Sequence, residues 1–362
     1  MTKMNGTRWG VMLFKSLVMG VYKKNVVGWR SAGRKCALGN AGSFAPLLRR
    51  LGLPAGSLPQ PRQRGVSAVG ALLCLAAAPL LAGQLTTIDS DAHYPEGPLW
   101  RAGKLFYVEY AQSNIKTWDG KHATVYWHKD GCGANALIPF NGHLLVACYD
   151  NNSLVELDAT GKEFRMIRAD SAGKPFTGPN DFAADGHGGI YFSASGVYDI
   201  KAPITGTVLH MTADGSSVTE VANTIHYSNG LTLAKDAKHL LVAEMLAGRI
   251  LSFAVGADGK LGARTVWARL QDLAPPTPNE DAYNGPDGVK LGPDGCYYIA
   301  QNGSGRVLVV SEDRKLVRTI DVPTPYVTNI AFGADRAATV FVTGAFEQWK
   351  PPYPGAVYRW VP

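Results

Sequence analysis

From residue 85 to the C-terminus, short apolar runs alternate with turn residues, and no long apolar stripe recurs at helical spacing. One phrase returns six times: a turn containing Gly or Asp, an apolar strand, a small or polar break, then a second strand. The copies are GKLFYVEYAQSNIKTWD, GHLLVACYDNNSLVELD, GGIYFSASGVYDI, KHLLVAEMLAGRILSFAV, GCYYIAQNGSGRVLVV and ATVFVTGAFEQ with GAVYRWV. They begin near residues 103, 142, 188, 238, 295 and 338, about 47 residues apart. The runs are rich in Val, Ile, Leu, Tyr and Phe, and turn residues separate them. Units of about 40–50 residues with four short strands each are the pattern of propeller blades. The sequence therefore predicts an all-β fold, a six-bladed β-propeller with four-stranded antiparallel blades, over residues 85–362. A two-sheet sandwich would not need six such copies.

Within YNGPDGVKLGPDGCYYIA, residues 283–300, the tripeptide PDG occurs twice. Asp294 lies in the turn that opens the fifth phrase. Asp287 lies seven residues upstream, before a short strand. The same offset reaches a polar residue in the other phrases: Glu96 in YPEGPLW, Asn135 in GANAL, Asn180 in GPNDF, Asn229 in YSNGL, and Thr328 with Asn329 beside it in VTNIAFG. In a propeller the first strand of each blade lines the central channel, so these six positions should converge at one channel mouth. Asn and Asp are also common turn formers, because they bond their own backbone and tolerate positive φ. Glu96 is the member that turn chemistry explains least.

Such a ring offers two carboxylates and several amide oxygens. Hard cations take oxygen ligands, and Ca²⁺ accepts about six to eight. Zinc favours His and Cys, which the ring lacks. Without a cation, one of two crowded carboxylates would be expected to take up a proton. His226, Tyr149, Tyr283 and Asn284 are candidates for the rim, with Tyr227 beside His226. The chain has no GxSxG, HExxH, Walker loop or GxGxxG opening a βαβ unit. Ser304, in NGSGR, reads as a loop residue.

Charge adds little to this site. The net charge of +7 is misleading, since residues 1–84 hold 12 Lys/Arg and no Asp/Glu. The other 24 basic residues are outnumbered by all 29 acidic ones, and no basic stripe with interleaved aromatics appears. Nucleic acid is thus not an expected partner. GVSAVGALLCLAAAPLLAG, residues 65–83, follows PRQR and reads as a secretory signal, cleaved near Ala82 or Gly83. About 60 residues precede it, which an upstream start assignment would explain. An organellar transit segment and a single membrane anchor are the alternatives. No second long apolar run follows, so no other membrane contact is expected. The expected organisation is an N-terminal basic segment, residues 1–84, disordered or removed, then the propeller, in a periplasmic or secreted protein. Cys132 and Cys148 would pair in an oxidising compartment or stay buried thiols otherwise.

At these residues the chain resembles the SMP-30/gluconolactonase/LRE-like family of six-bladed propellers. YPEGPLW resembles the family's first-blade Glu motif, GKPFTGPNDF its Pro-Asn-Asp motif, YSNGLTLAKDAKHLLVAE its Asn-Gly-Leu motif, and GPDGVKLGPDG its Pro-Asp-Gly motif. GANAL and VTNIAFG look like the second and closing blades. The resemblance implies a lactonase dependent on one divalent cation, Ca²⁺ first, with Zn²⁺, Mn²⁺ or Mg²⁺ as alternatives. It implies that Glu96, Asn180, Asn229 and Asp287 hold the metal, with Asp287 the catalytic carboxylate. Glu96 is the second carboxylate candidate for catalysis. Asn135 falls on the substrate side, with His226, Tyr149, Tyr283 and Asn329 as further substrate contacts. Three positions depart from the family pattern: Ala194 where an Asp is frequent, Ala136 for Gly, and Ser228 where Pro is common.

The expected reaction is hydrolysis of a small-molecule lactone, sugar or related, to a hydroxy acid. The alternatives are a hydrolase of another ester class, such as organophosphates or aryl esters, and a non-catalytic propeller binding module with a structural metal.

Overall fold

The computed structural model describes residues 83–334 and 339–362. The expected signal segment and the basic segment before it lie outside the described residues, apart from Gly83 and Gln84. Strand β1 (Gln84–His93) precedes the first repeat. Blade 1 then contains β2 (Pro95–Arg101), β3 (Lys104–Glu109), β4 (Asn114–Trp118) and β5 (Ala123–His128). Blade 2 contains β6 (Ala134–Phe140), β7 (His143–Cys148), β8 (Ser153–Leu157) and β9 (Glu163–Ile167). Blade 3 contains β10 (Pro179–Ala184), β11 (Ile190–Ala194), β12 (Gly206–Met211) and β13 (Val218–Ile225). Blade 4 contains β14 (Ser228–Leu233), β15 (His239–Glu244), β16 (Arg249–Val255) and β17 (Leu261–Arg269). Blade 5 contains β18 (Pro286–Leu291), β19 (Tyr297–Gln301), β20 (Arg306–Val310) and β21 (Leu316–Asp321). Blade 6 contains β22 (Tyr326–Phe332), β23 (Val340–Ala345) and β24 (Pro354–Val361). Its fourth strand is β1, antiparallel to β24, so the sixth sheet runs β1-β24-β23-β22.

The expected six-bladed propeller of four-stranded antiparallel sheets is the observed fold. The source of the sixth blade's last strand was not visible in the repeat, because β1 is an incomplete phrase on its own. Pairing of β1 with β24 joins the N-terminal strand to the last blade and so closes the ring. Side chains from three strands secure it. Asp89 on β1 accepts bonds from the Tyr107 hydroxyl on β3 and from Lys116 Nζ on β4, the latter at 2.9 Å.

The uninterrupted apolar runs have a simple physical cause: blade faces pack against neighbouring blades. On β7, Leu144, Val146 and Cys148 pack toward blade 1, while Leu145 and Ala147 pack toward blade 3. On β15, Leu240 and Val242 face blade 3, and Leu241 and Ala243 face blade 5. Period-two alternation persists, but both sides are dry. Among the described residues the core divides into six clusters, one for each interface between adjacent blades. Each fully buried Leu, Val or Ile contributes roughly 1.5–3 kcal/mol by leaving water.

Candidate active site at the channel mouth

Each innermost strand carries one extra residue relative to its partner at the position picked out by the seven-residue spacing. The shifts lie between Glu96 and Leu99, Ala134 and Ala136, Pro179 and Phe182, Ser228 and Leu231, Pro286 and Val289, and Val327 and Asn329. A bulge bends the strand and re-aims a side chain. Here it turns Glu96, Asn135, Asn180, Asn229 and Asp287 into one cavity of about 300 Å³. All five are buried.

The sixth blade departs from the expected ring. Thr328 Oγ1 donates to the Pro95 carbonyl at 2.7 Å and lies 2.8 Å from Thr343 Oγ1, so it is a blade-to-blade tie. Asn329, expected as a substrate contact, instead donates toward Asp181 Oδ2 at 3.4 Å and lines a separate cavity. The bulge makes Thr328 the extra residue, and the Asn329 side chain bonds the Glu96 carboxylate without lining the main cavity.

Tyr149 lines the main cavity, whereas His226 and Tyr283 do not. The His226 amide donates to Glu244 Oε1 at 2.9 Å, which makes it an anchor for the strand entrance. Tyr283 stands behind the wall: its carbonyl accepts the Tyr198 hydroxyl at 2.7 Å. Asn284 likewise turns away, donating to Asn302 Oδ1 at 3.2 Å. Ser304 donates its hydroxyl to Glu280, in keeping with a loop role. Ser228 uses the freedom of not being Pro: its hydroxyl lies 2.9 Å from the carbonyls of both Ala194 and Thr207 and ties blade 4 to blade 3.

The upper wall is aromatic. Tyr94, Tyr110, Tyr149, Tyr198, Tyr227 and Tyr353 line it, with Trp349, Met245 and Gln348 between them. Most of these were missed by the spacing argument, which looked only for polar side chains. A signal was present nonetheless: HYPEG at 93–97 and HYSNG at 226–230 are near-copies in blades 1 and 4, opposite blades of the ring. The copies behave alike. Glu109 Oε1 accepts the His93 amide at 3.0 Å, as Glu244 accepts that of His226. Tyr94 and Tyr227 both hold left-handed backbone, at φ 49° and 64°.

Burial, and then the neighbouring Asp287, hold Glu96 well above the usual carboxylate range. Burial, and then the charge of Asp181, do the same to Asp287, against the pull of the Asn302 and Asn229 amides. Two ionised carboxylates here call for a positive charge. Asp287 Oδ1 and Asn229 Oδ1 are both buried without a hydrogen-bond partner, although Asp287 Oδ2 accepts from Asn302 at 3.2 Å. Orphaned oxygens at this depth are costly unless something binds them, and a hard cation suits them. Among the described residues, no group of three or more His, Cys, Asp or Glu is placed to hold a metal. A metal at the ring would thus need amide oxygens as well as carboxylates, and the ring supplies them.

Cys132 and Cys148 are joined in a disulfide, with Cα atoms 4.6 Å apart. It ties the entrance of β6, which carries Asn135, to the end of β7, which leads into Tyr149.

The chain belongs to the SMP-30/gluconolactonase/LRE-like family, whose match spans residues 94–346. It is 26% identical over 191 residues to the 6-deoxy-6-sulfogluconolactonase of Pseudomonas putida, an alignment covering 53% of this chain and 62% of that protein. Its fold is similar to that of a Xanthomonas campestris gluconolactonase, with a TM-score of 0.63, 21% identity, and 77% and 89% of the two chains covered. It is also similar to a calcium-binding protein, regucalcin, of Agrobacterium tumefaciens, with a TM-score of 0.63, 19% identity, and coverage of 77% and 92%.

Proposed function

We propose that this protein is a metal-dependent hydrolase that opens a lactone to a hydroxy acid. The observation that carries this reading is the buried Glu96 and Asp287 pair, set with Asn180 and Asn229 in one cavity and leaving two oxygens without partners. Glu96, Asn180, Asn229 and Asp287 would hold one divalent cation, and their all-oxygen chemistry favours Ca²⁺, with Mg²⁺, Mn²⁺ or Zn²⁺ as alternatives. Bound there, such an ion supplies Lewis-acid polarisation of a carbonyl oxygen.

The chain's own residues account for the rest. Asp287 accepts a proton from water as the water oxygen attacks the lactone carbonyl carbon. The ring C–O bond then breaks, and the leaving alkoxide takes that proton from Asp287 to become the hydroxyl of the product, which restores the carboxylate. The Asn135 amide and the Tyr149 hydroxyl, both in the cavity wall, orient the ester. Burial raises the Tyr149 phenol, which keeps it a neutral donor. The aromatic wall limits the water that reaches the floor. Activity in an oxidising compartment, periplasmic or extracellular, belongs to the same proposal and is supported by the Cys132–Cys148 bond.

The test is a pH-stat assay of residues 83–362, stripped with chelator and assayed on a lactone panel with and without added Ca²⁺. Acid release restored by metal supports the proposal. No turnover on any lactone, with or without metal, overturns it.

A further inference from the structure

We infer that the cavity selects uncharged lactones bearing an apolar or aromatic substituent and discriminates against anionic and polyhydroxylated sugar lactones. This rests on the lactonase reading above and names its substrate class. The first ground is charge. The wall contains no Lys, Arg or His, and its two charged groups, Glu96 and Asp287, are acids on the floor. A phosphorylated or sulfonated lactone would find no side-chain cation to pair with.

The second ground is where the polar atoms of the wall point. Tyr110 donates its hydroxyl to Asp150 Oδ1 at 2.8 Å, Tyr198 to the Tyr283 carbonyl at 2.7 Å, and Tyr227 to the Tyr149 hydroxyl at 3.1 Å. These phenols are satisfied within the protein. A ligand hydroxyl beside these three phenols would leave water for few partners, Gln348 Nε2 being a buried donor of the same wall that has none. An aromatic or aliphatic surface loses nothing there and gains ring contacts.

The third ground is backbone strain. The residue two before the ring position has positive φ in blades 1 to 4. Gly133 and Gly178 meet that demand in blades 2 and 3, at φ 57° and 63°, whereas Tyr94 and Tyr227 meet it in blades 1 and 4. Glycine adopts this conformation freely, and a bulky residue does not. Tyr353, also in the wall, has φ 57°. Strained non-glycine residues gathered at one site point to a use for their side chains. Trp349 extends the aromatic surface outward: it is half exposed and stacks on Tyr198 at 5.9 Å. A volume of about 300 Å³ suits one ring with a short substituent.

The experiment compares kcat/KM for three six-membered lactones with Ca²⁺ present: dihydrocoumarin, glucono-1,5-lactone and its 6-phosphate. Dihydrocoumarin is expected to exceed both sugar lactones by roughly 100-fold. Trp349→Ala, at a half-exposed position, is expected to lower dihydrocoumarin turnover about tenfold and to narrow the preference. Equal or faster turnover of either sugar lactone overturns the inference. If the wild-type protein opens none of the three, calorimetric titration of the same compounds separates the two readings. Binding of dihydrocoumarin alone would keep the ligand class and remove the lactonase reading. Binding of a sugar lactone, or of none, would remove both.

Discussion

Lys290 Nζ lies 2.7 Å from Asp181 Oδ2, joining blade 5 to blade 3 across the channel. Asp181 follows the ring residue Asn180, and Lys290 lies three residues beyond Asp287. The charge of Asp181 raises both ring carboxylates, so the lysine offsets an acid that would otherwise add to their repulsion.

Lys290→Met should therefore be more damaging than its position suggests. It leaves Asp181 buried and unpaired, which costs about 3–5 kcal/mol when a pair is fully buried. Lys290 is partly exposed, so the low end is expected. Asp181→Asn combined with Lys290→Met should recover most of the loss, because no bare charge remains. Urea denaturation of the single and double variants decides this. An unchanged midpoint in the single variant would show that the pair carries no net weight.

Asp287→Asn should retain the fold, since the amide fills the same volume and lacks the charge that burial resists. Turnover should fall on the order of 10²–10⁴-fold. Chelator-stripped variant should melt no lower than stripped wild type, while the upward shift in Tm on adding Ca²⁺ shrinks. For wild type, Ca²⁺ at a hundredfold its Kd should stabilise by about 2.7 kcal/mol. Full activity in the variant would remove Asp287 from the chemistry.

Ring closure should weaken in acid. Burial opposes ionisation of Asp89, but the bonds from Tyr107, the Asp91 amide and Lys116 outweigh it, and its carboxyl is held below the usual value. The stabilisation is present above the unfolded value of about 3.9 and is lost as pH falls through the folded one. Asp89→Asn should cost about 1–3 kcal/mol at neutral pH and flatten the acid limb of the stability profile. Thermal melts from pH 2 to 7 test it, and a profile parallel to wild type below pH 4 would refute it.

Gly178→Ala should disturb the aromatic wall. A Cβ there would lie 2.7 Å from Tyr149 Cε2, at a φ of +63°. The strain is worth about 1–3 kcal/mol, and the ring must move. The prediction is a lower Tm together with weaker lactone binding by calorimetry. Gly103→Ala shares the positive φ but has open space around its Cβ, so it should lower stability without touching binding.

The fold was legible because a propeller repeats one local pattern six times. Apolar runs such as HLLVAC and HLLVAE, cut by Gly and Asp turns, marked the strands. Constant spacing then placed Glu96, Asn135, Asn180, Asn229 and Asp287 at equivalent points. What a single phrase could not contain was left to tertiary structure. Closure by β1 depends on a pairing between the two ends of the propeller. Which of Thr328 and Asn329 becomes the extra residue of the sixth bulge depends on strand register. The retreat of His226 and Tyr283 depends on Glu244 and Tyr198, residues distant in the chain. The aromatic wall is gathered from the loops of several blades, where residue type alone does not distinguish a cavity wall from a core. Local pattern determined which residues repeat. Only the packing of blades around one axis decided which of them meet.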